Sequence, residues 1–355
     1  MPGNSRAVLA FDTSAYTSSA AVVDEAGRTC ADERTRLSVE KGERGLRQSQ
    51  ALFQHINNIP EIAERACAQA HEAGLEIAAV AASSRPRPVE GSYMPVFLAG
   101  LNTGRSIASA LGVPFYEFSH QEGHVAAAAG ILPDDSRSAA FHLSGGTGEI
   151  LVLLGGMPVK VAGGTLDISF GQLVDRTGVA LGCGFPAGPE MDAAAMRGSA
   201  DLKWHFSNRG RRVYDDPVLA PIHVEGSRAN LSGIETSCAK AAASGIPPEA
   251  LAAELFMRMS DAVAGMTTAA CREEGISSVI LCGGVASSSF LRRELTERLD
   301  HFGIKAVFGE KALSSDNAVG TARLGMAALK KAAADSKLFQ PEAPCRRSRR
   351  RQPIR

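Results

Sequence analysis

The chain has no Cys-x-x-Cys pair, and its seven cysteines are an odd number. This excludes a zinc ribbon, argues against a disulfide framework, and points to a reducing compartment. No apolar run approaches the about 18 residues a membrane span needs. The first apolar run, Ala7 to Phe11, is too short for the core of a secretion signal. A soluble cytoplasmic protein with no membrane partner is expected. Net charge is also missing: 38 basic residues balance 38 acidic ones. The balance hides a basic C-terminal stretch, Cys345 to Arg355, which reads as a solvated, disordered end that acidic polymers can touch. Tryptophan occurs once, at Trp204, inside a segment from Arg197 to Asn230 that shows no chemistry. With 355 residues the chain is long enough for two lobes, each with its own core.

What is present centres on Ser119-His120-Gln121-Glu122-Gly123-His124, which opens an alanine-rich run. In a helix, residues four apart lie on one face, roughly 40° apart around the axis. His120 and His124 can therefore hold one metal ion together. The zinc-protease pattern places a glutamate directly after its first histidine, where it serves as a base beside the metal. Here the glutamate is Glu122, roughly 200° around the helix from His120, so that chemistry is disfavoured and a further ligand must come from elsewhere.

Two strand-turn-strand units recur along the chain. The first runs from Arg6 to Asp24 around Asp12-Thr13-Ser14-Ala15-Tyr16-Thr17; the second pairs Ala139–Leu143 with Ile150–Leu154 around Ser144-Gly145-Gly146-Thr147-Gly148-Glu149. Hydroxyls and glycines in such turns offer N–H groups and bare backbone to a phosphate. Their recurrence suggests a duplicated architecture. Between them the sequence predicts a polar stretch from Glu33 to Gln50, and a helix from about Ser49 to Ala73 interrupted at Pro60. Within the polar stretch, Arg34, Arg36, Lys41, Arg44 and Arg47 form a solvated face that a nucleic acid can follow. A strand over Ile77–Ala82 leads to a loop carrying Arg85 and Arg87, then a helix from Val96, a place where anions often bind.

Further on, Asp175 falls in a helix that ends at the glycine cluster near Gly182, Gly184 and Gly188. Pro248 to Glu274 has a core face of Leu251, Leu255, Met259, Ala262 and Met266. Ser278 to Arg292 reads as strand, Gly283-Gly284 turn and helix. Ser314-Ser315-Asp316-Asn317 is suited to capping a last helix, Ala318 to Ala332.

In combination these motifs resemble the TsaD family of tRNA threonylcarbamoyladenosine transferases, from about Val8 to Leu329. His120-Gln121-Glu122-Gly123-His124 matches the family's His-x-Glu-Gly-His, and Ser144-Gly145-Gly146 its Ser-Gly-Gly. Leu231-Ser232-Gly233-Ile234-Glu235-Thr236 is similar to Phe-Ser-Gly-Leu-Lys-Thr, and Phe185-Pro186-Ala187-Gly188-Pro189 to Tyr-Pro-Gly-Gly-Pro. Gly283-Gly284-Val285-Ala286-Ser287-Ser288 is similar to Gly-Gly-Val-x-Ala-Asn, and Ser315-Asp316-Asn317-Ala318 to Thr-Asp-Asn-Gly/Ala.

The resemblance implies an α/β fold of the acetate kinase/actin/Hsp70 type, with a cleft between two lobes. Residues 1–116 and the helix near 318–332 would form one lobe, 117–317 the other, and 333–355 a basic tail. It implies a divalent metal, iron or zinc, on His120, His124 and Asp316, and ATP or an acyl-adenylate in the cleft. The nucleotide contacts implied are Ser144, Gly145, Gly146, Thr147, Asp175, Gly188, Asp192, Gly283, Gly284 and Ser288. The activity implied is transfer of threonylcarbamoyl from its adenylate to the adenosine beside a tRNA anticodon, with a TsaB-like subunit or a second copy as partner.

The chain departs from the family at several points. The acidic pair of the first hairpin becomes Tyr16 and Thr17, and the histidine of the second turn becomes Thr147. The Gly-Pro-Gly loop becomes Arg85-Pro86-Arg87-Pro88, and the asparagine of the third turn becomes Ser288. A second reading is therefore a divergent paralogue that binds nucleotide and metal as a partner or regulator. A third, a small-molecule phosphotransferase, needs a catalytic aspartate, for which Asp12 and Asp175 are the candidates; Asp12 is also the candidate catalytic group of the first reading.

Overall fold

Two apolar runs either side of a hydroxyl-rich turn form β1 (Ser5–Asp12) and β2 (Thr17–Asp24), paired antiparallel from Ala7 opposite Asp24 to Asp12 opposite Ser19. Both are buried on two faces, which explains why they read as continuous rather than alternating apolar sequence. The computed structural model describes residues 5–14, 16–39, 46–130, 132–133, 135–206 and 212–338. Lys41, Arg44 and the basic stretch 345–355 lie outside the described residues.

The expected polar stretch begins instead with a third strand, β3 (Thr29–Arg36), antiparallel to β2 at the sheet edge. Charged side chains suit an edge strand because they discourage further pairing, and this masked the strand in the sequence. Arg34 is held by Asp32, and Glu33 by Arg65 at 2.6 Å, so these charges are internally paired. The helix α1 (Gln48–Glu72) runs straight through Pro60, where an interruption was expected. Pro60 is exposed, so water can serve the carbonyl it leaves without an N–H, while Ile59, Ile62 and Ala66 bury the opposite face. β4 (Leu75–Arg85) and β5 (Phe115–Ser119) add in parallel, with α2 (Phe97–Leu111) between them, giving the order β3-β2-β1-β4-β5.

The helix α3 (His120–Ala129) starts directly where β5 ends. A second sheet then begins with β6 (Arg137–Leu143), β7 (Gly148–Leu154) and β8 (Met157–Thr165), all antiparallel. It is followed by α4 (Phe170–Ala180), α5 (Gly188–Gly198) and the short strands β9 (Trp204–Phe206), β10 (Arg212–Tyr214), β11 (His223–Glu225) and β12 (Arg228–Asn230). Next come α6 (Ser232–Ala243), α7 (Pro248–Glu274), β13 (Ser278–Cys282), α8 (Ser289–His301), β14 (Lys305–Phe308) and α9 (Val319–Leu338). The larger sheet has the order β11-β12-β8-β7-β6-β13-β14. Its segment β8-β7-β6-β13-β14 repeats the first sheet: an antiparallel meander, then two parallel strands beside the meander's first strand. The duplication expected from the two hairpins is therefore present in the topology.

In α7 the expected face of Leu251, Leu255, Met259, Ala262 and Met266 is buried in the core of the second sheet. The chain's last helix returns to the first sheet, where Ala322, Met326 and Leu329 cover Val8, Ala10 and Ala21. Helix α3 bridges the two: Ala127 joins this cluster, while Val125 packs with Ala140 and Ile280 of the second sheet. α3 and α9 touch through glycine, since a Cβ on Gly320 would lie 1.8 Å from the Gly123 carbonyl oxygen. That backbone contact sets the position of the two histidines relative to the start of α9.

Candidate metal centre

His120 and His124 occupy successive turns of α3, and Asp316 lies just before α9. Its carboxylate oxygen is 3.5 Å from His120 Nε2 and 3.4 Å from His124 Nε2, and one ligand atom from each residue falls within 4.8 Å of the others. Within the stretch expected to cap α9, the cap is Asn317, whose side-chain oxygen accepts from the Val319 N–H at 3.0 Å, which leaves Asp316 free of that task. Glu122 is also committed: its carboxylate accepts from the Ser119 N–H at 2.5 Å, while the Ser119 hydroxyl accepts from the Glu122 N–H. It is thus part of a capping box, turned away from the histidines.

Asp12 closes β1 at 1 % exposure. Its carboxylate accepts from the Ser14 N–H and hydroxyl, from the Ser83 hydroxyl at 2.5 Å, and pairs with His120 Nδ1 at 2.9 Å. Burial opposes its charge, but the His120 imidazolium and these donors hold its carboxyl well below the usual carboxylate range. Burial likewise disfavours a charged His120; Asp12, with help from Asp316, overrides it and pushes that imidazole up to about 9. His124 is pulled below its ordinary value by burial and by the neighbouring His120 charge, against Asp316. With Nδ1 paired to Asp12, His120 turns Nε2 toward Asp316, where a cation would take the place of the second imidazolium proton, the arrangement in which a carboxylate orients a histidine ligand. His124 Nε2 is buried and makes no hydrogen bond. Two imidazoles and a carboxylate around that orphaned nitrogen fit a divalent cation. Asp12 belongs to this set as a positioning residue, because all its acceptor capacity is taken.

The second turn is organised around Ser144, whose hydroxyl accepts from the N–H groups of Gly146 and Thr147. The Ser169 hydroxyl donates to the Gly145 carbonyl, and Gly171 of α4 is pressed against it, 2.6 Å from a Cβ position to Gly145 Cα. Gly145, Gly146, Gly188 and Gly284 have open space where a side chain would stand. Gly283, with φ 91°, sits against the Leu143 carbonyl and brings the third turn beside the second. Asp175 accepts from the Ala187 N–H at 2.8 Å, and burial raises its carboxyl above the ordinary value. Asp192 takes the Ser288 hydroxyl at 2.5 Å and the N–H groups of Ser289 and Phe290, so it secures the start of α8. The predicted polar residues therefore cluster, with Asp175 and Asp192 holding turns whose glycine backbone stays bare.

The loop after β4 is fixed by contacts within the protein. Arg87 pairs with Glu149 at 2.7 Å, and Gln121 donates to the same carboxylate at 2.9 Å, tying the loop to α3 and β7. Tyr16 stacks edge-on against Phe185, with ring centroids 5.8 Å apart. The sequence reading missed His142, whose ring lies 4.9 Å from that of His124. Strand alternation offered a signal: Phe141 and Leu143 face the α7 core, so Ala140 and His142 must face α3.

Two sheets of repeated topology, with polar turns and a histidine pair gathered where α3 meets α9, define a protein of the acetate kinase/actin/Hsp70 type. Solved structures share that fold: the HypF protein of T. kodakarensis, TM-score 0.58 at 15 % identity, covers 92 % of this chain and 48 % of its own. The activator of 2-hydroxyisocaproyl-CoA dehydratase from Clostridium difficile has TM-score 0.51 at 13 % identity, over 96 % and 99 %. The chain belongs to the TsaD family, tRNA N6-adenosine threonylcarbamoyltransferase, whose profile matches residues 28–323. It is 32 % identical to the protein of that name from Corynebacterium aurimucosum over 276 residues, 74 % of this chain and 76 % of the relative. The Corynebacterium diphtheriae protein is 29 % identical, over 88 % and 89 %.

Proposed function

We propose that this chain transfers a threonylcarbamoyl group from its adenylate to the N6 amine of an adenosine beside a tRNA anticodon. The observation that carries the reading is the meeting of His120, His124 and Asp316 next to three turns of bare glycine backbone, within a TsaD family chain. In the transfer, a C–N bond forms between the amine and the carbamoyl carbon, and the C–O bond to AMP breaks, its electron pair leaving with AMP while the proton displaced from the amine passes to solvent. His120, His124 and Asp316 would hold a divalent metal, iron or zinc, which when bound supplies positive charge to polarise the adenylate. Asp12 fixes the proton of His120 at Nδ1. Gly145, Gly146, Gly188 and Gly284 offer open faces against which phosphate and base can lie. Asp175 and Asp192 hold those turns in place.

Two other readings are weighed by particular atoms. A small-molecule phosphotransferase needs a free carboxylate base. Asp12 is saturated by Ser14, Ser83 and His120, and Asp175 accepts from backbone N–H groups, so neither suits the task. A paralogue without tRNA activity is favoured by one observation, the Tyr16–Phe185 contact that stands where the family carries acid. Complementation separates it from the transferase. In a strain depleted of its own TsaD protein, this chain is expected to restore threonylcarbamoyladenosine, read by mass spectrometry of tRNA nucleosides. No restoration by soluble protein that still binds ATP means the paralogue.

A further inference from the structure

We infer that His142 is a fourth donor to the metal, so that the centre is built from three imidazoles and one carboxylate. The inference rests on the reading of His120, His124 and Asp316 as a metal centre. His142 enters from the other sheet, on β6, two residues before the Ser144 turn, and is 3 % exposed. Its Nδ1 lies 2.7 Å from the Thr147 hydroxyl, while its Nε2 is buried and has no hydrogen-bond partner. Leaving a buried polar atom unmatched is unfavourable. Here two such atoms, Nε2 of His124 and of His142, belong to neighbouring rings with centroids 4.9 Å apart and tilted by 37°.

A single cation resolves both. With metal–nitrogen distances of about 2.1 Å, two imidazoles on adjacent positions of one ion have ring centroids roughly 4.5–5.2 Å apart, and on opposite positions roughly 6.4 Å. The observed separations are 4.3 Å for His120–His124, 4.9 Å for His124–His142 and 6.3 Å for His120–His142. The first lies just under the adjacent-position range, the second within it and the third near the opposite-position value, so the rings suit a five- or six-coordinate ion and not a tetrahedral one. Thr147 completes the arrangement: as acceptor of the Nδ1 proton it leaves the His142 Nε2 lone pair free, the part Asp12 plays for His120. Thr147 also stands where the family's turn has a histidine. Three neutral imidazoles favour a transition-metal ion over magnesium, and leave one position fewer for substrate.

The test uses the purified full chain, stripped by chelator and reloaded with cobalt(II). X-ray absorption of the wild-type protein counts the imidazoles, and chelator competition gives the affinity. Three imidazoles are expected, falling to two in His142→Ala with an affinity loss on the order of 10-fold to 100-fold, and a smaller loss in Thr147→Val. Two imidazoles in the wild type, with affinity unchanged in His142→Ala but lost in His120→Ala, would remove His142 from the centre and leave the three-residue reading intact. Failure of the wild type to bind cobalt stoichiometrically would overturn both. The wild-type count decides the question even if the variant does not fold.

Discussion

The two hairpin turns occupy equivalent places in the two repeated sheets, yet their polar atoms serve opposite purposes. In the first, Asp12 and Thr13 turn inward: Asp12 gathers Ser14, Ser83 and His120, and the Thr13 hydroxyl joins the Val96 carbonyl to the Gly100 N–H. In the second, Ser144 folds the turn on itself and leaves the faces of Gly145 and Gly146 open. Duplication of a topology has therefore not duplicated its chemistry. One copy became the support of a histidine, and the other bonds to itself with two glycine faces left open.

The largest expected effect breaks the inward turn. Asp12→Ala leaves the buried His120 imidazole without its nearer carboxylate partner, and loss of one member of such a pair costs about 3–5 kcal/mol, measurable by denaturant unfolding. Next, Gly320→Ala drives a methyl into the Gly123 carbonyl and forces α9 away from α3. Overpacking of this kind costs about 1–3 kcal/mol, read as a lower Tm. The open turn behaves otherwise. Gly145→Ala meets no atom within 4 Å, so stability should hold within about 0.5 kcal/mol while ATP affinity falls on the order of 10-fold by calorimetry.

The smallest effect concerns Asp167, a carboxylate spent on backbone. Burial opposes its charge, yet the N–H groups of Leu231, Ser232 and Ile168 hold it at about 2 against an ordinary 3.8. Since its folded value is depressed, its contribution is present in full above about pH 4 and is lost as the pH falls toward about 2. Asp167→Asn should flatten that part of the acid-unfolding curve and leave the shape of the pH dependence above about pH 4 unchanged. An unchanged acid limb in the variant would show that the three N–H contacts contribute nothing at this position.

How far the sequence reaches differs between these regions for physical reasons. The i, i+4 spacing of His120 and His124 is local, and a helix converts it directly into a shared face. Asp316 lies nearly two hundred residues further along, and only the family resemblance joined it to them. The supporting part of Asp12 was not legible, because a turn aspartate in sequence looks the same whether it meets solvent or a buried imidazole. His142 was hidden in an apolar strand, and its meaning depends on α3 packing across β6 and β13. β3 was missed because charge at a sheet edge reads as loop. Pro60 misled because an exposed position lets a packed helix absorb it.

The most direct test of the central claim is transfer in a defined mixture. Purified chain is given the threonylcarbamoyl-adenylate and unmodified tRNA, the tRNA nucleosides are measured by mass spectrometry, and Asp316→Ala serves as comparison. The account predicts threonylcarbamoyladenosine with the wild-type chain and its loss in the variant. Wild-type protein that binds the adenylate and yields no modified adenosine, alone or with a partner subunit, would contradict it.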